Sequence, residues 1–189
     1  MEEFINYILQ FGNLNQQQIE LIKSKASRLE LEKDDYYWEA GKTVRQVGFL
    51  VEGVIRIYYY NNKGDEITRY FIEENHLILS GNSISEPYIP SVYLSTITPC
   101  ILIVFSREDW KDISETIIGW DKIIQQITAK HHREKLARRS ELVSQDATTR
   151  YLDFMEKFPG LINRVPLSFI ASYLGITQSS LSRIRKNIH

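Results

Sequence analysis

Between Val165 and Lys186 the chain reads VPLSFIASYLGITQSSLSRIRK, and these residue types at this spacing can do one recognisable piece of chemistry. Leu167, Ile170, Ala171 and Leu174 fall on one face of a helix that Leu167 or Ser168 opens just after Pro166. Gly175 ends that helix, because a left-handed C-cap carries no side-chain penalty at glycine. Thr177 caps a second helix whose inner side is Leu181 and Ile184. Its outer side presents Gln178, Ser179, Ser180, Ser182, Arg183, Arg185 and Lys186. Small hydroxyls let such a helix approach a groove closely, while Gln and Arg carry hydrogen-bond forks for base edges and phosphates. The pattern predicts a helix-turn-helix that reads double-stranded DNA. A plain helical hairpin has the same glycine, and what separates the two is the basic outer face.

Charge points the same way. Residues 1–121 hold 11 Lys and Arg against 19 Asp and Glu, and residues 122–189 hold 12 against 5, within a net charge of −1 over 189 residues. A basic C-terminal third on an acidic body is the layout of a nucleic-acid module joined to something else. Hydrophobic content of 43% and charged content of 25% describe a globular chain. No apolar run approaches the ~20 residues that span a bilayer. The acidic start MEEFINYIL does not read as a secretory signal, so a cytoplasmic protein without membrane contact is expected. The single cysteine, Cys100, excludes a disulfide framework or a cysteine-ligated cluster within one chain.

The elements that must position the reader follow from periodicity. Residues 2–27 read as two helical pieces broken at Phe11-Gly12-Asn13, with Asn15 capping the second. Short strand-like runs follow at Leu29–Leu31, Tyr36–Glu39, Val47–Val51, Val54–Tyr60, Glu66–Ile72, His76–Leu79, Tyr93–Thr98 and Cys100–Phe105. Ala40-Gly41, Glu52-Gly53 and Asn61 to Asp65 supply turns between them. Many short strands with regular turns predict a barrel or sandwich, not a doubly wound sheet. Ser106 caps a short helix. A longer one then runs to about Val143, with Trp120, Ile123, Ile124 and Ile127 as a stripe and His131 in line with it. That stripe is too apolar for a lone surface helix, so it is expected to be a homodimer seam. Asp146 caps a further helix, from which Tyr151, Leu152 and Met155 are expected to pack under the reader.

In this order the chain resembles a Crp/Fnr-family transcription regulator over nearly its whole length. The residues that carry the resemblance are Ala40-Gly41, VGFLVEGVIRIYYYNNKGDEITRYFIEEN from Val47 to Asn75, and RYLDFMEKFPGLINRVPLSFIASYLGITQSSLSRIRK from Arg150 to Lys186. The resemblance implies an α+β chain in three parts. Residues 1–118 would form a double-stranded β-helix (a jelly roll of the cyclic-nucleotide-binding kind) with flanking helices. Residues 119–144 would form a dimerisation helix, and 145–189 a truncated winged-helix reader whose wing, if any, lies between Gly160 and Val165. Gln178, Ser179 and Arg183 occupy the slots that the family uses against bases. Ser179 replaces the usual glutamate, so the operator sequence does not transfer. A palindromic operator, a homodimer, RNA polymerase as a contact and a small-molecule effector are the implied partners.

Family members that bind cyclic nucleotides carry Gly-Glu followed by Arg in the ligand slot. Here HLILSGNSISEPYIPSVYLSTIT, His76 to Thr98, has Gly81 before Asn82 and no Lys or Arg. A buried phosphate without a cation is strongly disfavoured, so cyclic AMP is not expected to bind through that cassette. Gly81, Asn82, Ser83, Tyr88 and Tyr93 remain candidates for lining a different ligand.

Two readings from other classes compete. A cupin-type metalloenzyme needs several inward His or carboxylate ligands, whereas the strand region has only His76, and the adjacent His131 and His132 cannot share one helical face. No metal or cofactor is therefore expected, no nucleophile-base arrangement appears, and the chain is not read as an enzyme. Alternatively, the C-terminal module is a protein-interaction domain, which salt-sensitive binding to duplex DNA would separate from operator recognition.

Overall fold

A computed structural model describes residues 1–79 and 88–188, the side chains of 137–144 excepted. Two helices open the chain, α1 (Glu2–Ile8) and α2 (Gln16–Lys25). The second begins in a capping box, with Asn15 accepting from the Gln18 N–H and the Gln18 side chain accepting from the Asn15 N–H. Among the described residues eight strands follow: β1 (Ser27–Leu31), β2 (Tyr36–Trp38), β3 (Gln46–Glu52), β4 (Ile55–Tyr60), β5 (Glu66–Ile72), β6 (His76–Ile78), β7 (Tyr93–Thr96) and β8 (Cys100–Ser106). They form two antiparallel four-stranded sheets, in the orders β1-β8-β3-β6 and β2-β7-β4-β5. This is the expected α+β roll, and every strand run read from the sequence is present.

The apolar content of those runs is explained by the core, since the longer strands are buried on both faces. Leu50, Ile55, Ile72, Leu94 and Leu102 point between the sheets with Trp38 and Tyr70, and Cys100 is buried among them as a small apolar side chain. Outside the first sheet, Phe4, Ile5, Tyr7 and Ile8 of α1 cover Val47, Phe49, Leu77, Ile103 and Phe105.

The helical half begins with α3 (Arg107–Thr116), capped by Ser106, and the long α4 (Trp120–Ser144). Then come α5 (Ala147–Lys157), capped by Asp146, α6 (Leu167–Leu174) and α7 (Gln178–Ile188). No described helix is long and apolar enough to cross a membrane.

The α4 stripe corrects an expectation. Trp120, Ile123 and Ile127 are buried at 1%, 5% and 0% exposure within the chain itself, against α1, Trp110 and Ile117. The break after α1 lies so close that a Cβ on Gly12 would meet Ile123 at 2.6 Å, which is why a glycine stands there. The stripe's apolarity is therefore satisfied internally and does not call for a second copy. His131 is engaged in the same way: its ring stacks on His76 with centroids 3.8 Å apart, and its Nε2 lies 3.0 Å from the Tyr7 hydroxyl.

Candidate nucleic-acid interface

The two helices of the reader form for the reasons their residues suggest. Gly175 adopts φ 67°, and the N–H groups of Gly175 and Ile176 return to the carbonyls of Ser172 and Ala171, which ends α6. Thr177 accepts the Ser180 N–H through its Oγ1 at 3.1 Å and opens α7. Leu181 is fully buried in a cluster with Tyr151, Phe154, Ile170 and Leu174, and this fixes the rotation of α7. That rotation turns Gln178, Ser179, Arg183 and Lys186 outward, all exposed. The last three stand at positions i, i+4 and i+7, so they share one face. Among the described residues no hydrogen bond or ion pair engages Gln178, Arg183 or Lys186.

Three predicted readers sit differently. Ser180 is half-buried and its hydroxyl lies 2.8 Å from Thr177 Oγ1, so it completes the cap and does not present itself outward. Ser182 and Arg185 are half-buried at the edge of the exposed face. Under the reader, Tyr151 is buried as expected, but Leu152 is 43% exposed and Phe154 takes the inner place. The stretch Gly160 to Val165 is no wing. It coils in a turn closed by the Val165 N–H to the Leu161 carbonyl, with Leu161 fully buried.

The reader is docked on the roll. Phe71 of β5, with Val54 and Ile97 beside the strands of the roll, shares one apolar cluster with α5, α6 and α7. Strand β5 is an edge strand, and Ser172 of α6 occupies that edge: its Oγ accepts the Thr68 N–H at 2.9 Å and donates to the Glu66 carbonyl at 3.1 Å. Unpaired edge groups are thereby satisfied by the neighbouring module. Arg56, 2% exposed, donates to Thr68 and Glu66 and stacks on Phe169 of α6 at 3.9 Å. None of these contacts covers the outer face of α7.

A second link is Arg164, whose guanidinium grips the Glu74 carboxylate with both terminal nitrogens, while Glu74 also accepts the Gly53 N–H at 2.9 Å. Burial by itself raises the Glu74 pKa, but the bonds from Arg164 and backbone N–H groups outweigh it and hold the carboxyl below its ordinary value. The stability this pair supplies is complete above the unfolded-state pKa near ~4.3 and is lost as pH falls through the lower folded value. Glu74→Gln should therefore cost about 1–3 kcal/mol at pH 7. In urea unfolding at pH 3 the gap between variant and parent should narrow, and an equal gap at both pH values would show that the charge is immaterial.

The ligand candidates divide. Gly81, Asn82 and Ser83 lie outside the described residues. Tyr88 packs its ring edge-on against Trp38 at 6.0 Å, inside the roll, and Tyr93 stacks on Tyr58 at 5.2 Å on the outer side. Between the roll and α4 lies a cavity of about 370 Å³, lined by Trp38, Tyr88, His76, His131, Arg69 and Lys135 among others. The cations that the His76–Thr98 stretch lacks are thus brought in from β5 and α4, which a reading confined to that stretch could not find. Among the described residues no three His, Cys, Asp or Glu side chains gather where a metal ion could sit.

No family model and no curated protein sequence matches the chain. Solved structures do. FixK2 from Bradyrhizobium japonicum superposes with a TM-score of 0.75 at 18% identity, over 87% of this chain and 84% of that one. The c-di-GMP-responsive global regulator CLP of Xanthomonas campestris gives 0.73 at 16% identity, over 92% and 91%. A protein described as a transcriptional regulator of the Crp/Fnr family from Eubacterium rectale gives 0.73 at 17%, over 96% and 87%. At these identities the likeness is one of architecture: the chain has the Crp/Fnr-like fold, a roll of the cyclic-nucleotide-binding kind joined through a long helix to a helix-turn-helix.

Proposed function

We propose that this chain is a DNA-binding transcription regulator of the Crp/Fnr type, acting in the cytoplasm as a homodimer on a palindromic operator. The observation that carries the reading is the outer face of α7, where Gln178, Ser179, Arg183 and Lys186 stand exposed on a helix locked in rotation by Leu181. The Ser179 hydroxyl lies 3.0 Å from Thr177 Oγ1, so the free hydrogen-bonding side chains among the described residues are those of Gln178, Arg183 and Lys186, and a groove-reading helix needs such groups on a rigid support.

Two copies are needed because one short helix reaches few base pairs, and a symmetric pair would read half-sites about 34 Å apart. With the inner stripe of α4 covered, the seam available to a second copy is that helix's outer side, where Leu136 is 55% exposed. The effector, if the regulator uses one, is not a cyclic nucleotide gripped by the His76–Thr98 cassette, which has no cation to neutralise a phosphate.

Light scattering at micromolar concentration should give twice the 22.2 kDa chain mass. Anisotropy with labelled random-sequence duplex should show binding that falls steeply with salt. A monomer that leaves duplex DNA unbound at low salt would contradict the reading.

A further inference from the structure

Arg69 stands on β5 and Lys135 on α4, 66 positions apart in the chain, and both line an open cleft of about 930 Å³ as well as the smaller cavity behind it. The outer cleft is walled by the roll on one side and by His132 and Leu136 of α4 and Tyr173 of α6 on the other, so a second copy seated on α4 at Leu136 would border it. Among the described residues no carboxylate lines either space, and neither Arg69 nor Lys135 is paired with an acid. Two cations converging without a counter-ion repel each other until an anion arrives. Partial desolvation of its ammonium first, and then the charge of Arg69, hold Lys135 below its ordinary pKa, in keeping with that proximity.

The rest of the wall is aromatic. Tyr60, 49% exposed, and Tyr93 meet edge to face at 5.5 Å beside the cations and offer flat apolar surface next to positive charge. Such walls favour a ligand with a ring, and a guanidinium with an ammonium favours its carboxylate or phosphate. A cleft of this volume is of the size that small-molecule sites use.

We propose that this outer cleft binds a small aromatic anion, with Arg69 and Lys135 holding its charged group and Tyr60 and Tyr93 its ring. The assignment deepens the regulator reading by naming an effector class, but the site itself is independent of DNA recognition. Because the cleft is walled by β5, α4 and α6 together, its occupant touches sensor, connector and reader at once. Binding there favours the docked arrangement over any arrangement in which α6 leaves β5.

The test is calorimetric titration of the full, DNA-free chain with phenyl phosphate, inorganic phosphate and phenol. Phenyl phosphate should bind more tightly than either fragment. Arg69→Gln and Lys135→Gln, both at exposed positions, should each weaken it about tenfold or more, while Lys135→Arg retains it. Lys111→Gln, which removes an exposed charge on α3, should leave it unchanged. The proposal is overturned if phenyl phosphate does not bind, if the Arg69→Gln/Lys135→Gln double variant binds it as the parent does, or if Lys111→Gln weakens it equally. Inorganic phosphate bound as tightly as phenyl phosphate would remove the aromatic half of the assignment. None of these readouts uses DNA, so a failed site and a failed regulator reading remain distinguishable.

Discussion

Trp120→Ala should destabilise the chain by about 3–5 kcal/mol, the usual cost of emptying a large aromatic from a packed interior. Trp120 is 1% exposed and meets Trp110 edge to face at 5.3 Å, in the cluster where α1, α3, α4 and the first sheet converge. Its neighbours Ile113, Ile117 and Ile123 are themselves buried, so the surroundings relax into the space only in part. The loss should appear in urea unfolding as a lower midpoint, with the same gap between parent and variant at low protein concentration as at high. Had the stripe been a seam between two copies, the same substitution would act on dissociation, and the midpoints of parent and variant would converge at low concentration, where both are monomers. That convergence would contradict the internal packing of α4.

The second large effect falls on recognition. Arg183 lies one turn beyond Ser179, opposite Leu181, with an unpaired guanidinium on the exposed face. Its fork matches the two acceptors of a guanine in the major groove, a contact that discriminates by roughly 1–3 kcal/mol per site. Arg183→Ala should lower affinity for the operator by that amount in each half-site while leaving binding to unrelated duplexes little changed. In the proposed docking of α7 the phosphate contact falls to Lys186, nearer the helix end, so Lys186→Ala should weaken all sequences alike and flatten the salt slope by ~1 per protomer. Operator titrations at three salt concentrations separate the two. Exchange of the two phenotypes would mean that the helix enters the groove in another orientation.

Much of this architecture is legible in the sequence because local chemistry decides it. Gly175, Thr177, Asn15, Ser106 and Asp146 each end or start a helix for a reason contained within a few residues. The strand runs are legible because short apolar runs and the turn residues between them agree. What is not legible is the partner of each face. The sequence shows that Trp120, Ile123 and Ile127 need cover, but only the fold shows that Trp110 of α3 and the segment around α1, more than a hundred residues earlier, share their cluster. The choice of Phe154 over Leu152 under the reader depends on the docking of α5 against Phe71, 6.3 Å away between ring centroids. The convergence of Arg69 with Lys135 and the grip of Arg164 on Glu74 join positions 66 and 90 residues apart. No window along the chain contains both members of either pair.

The most direct measurement is a selection of binding sites from random duplexes by the parent chain and by Arg183→Ala. The parent should return a palindrome with half-sites about 34 Å apart. Arg183→Ala should return the same palindrome with one symmetric pair of positions relaxed. A selection that yields no palindrome, or a variant whose motif is unchanged, would contradict operator reading by α7.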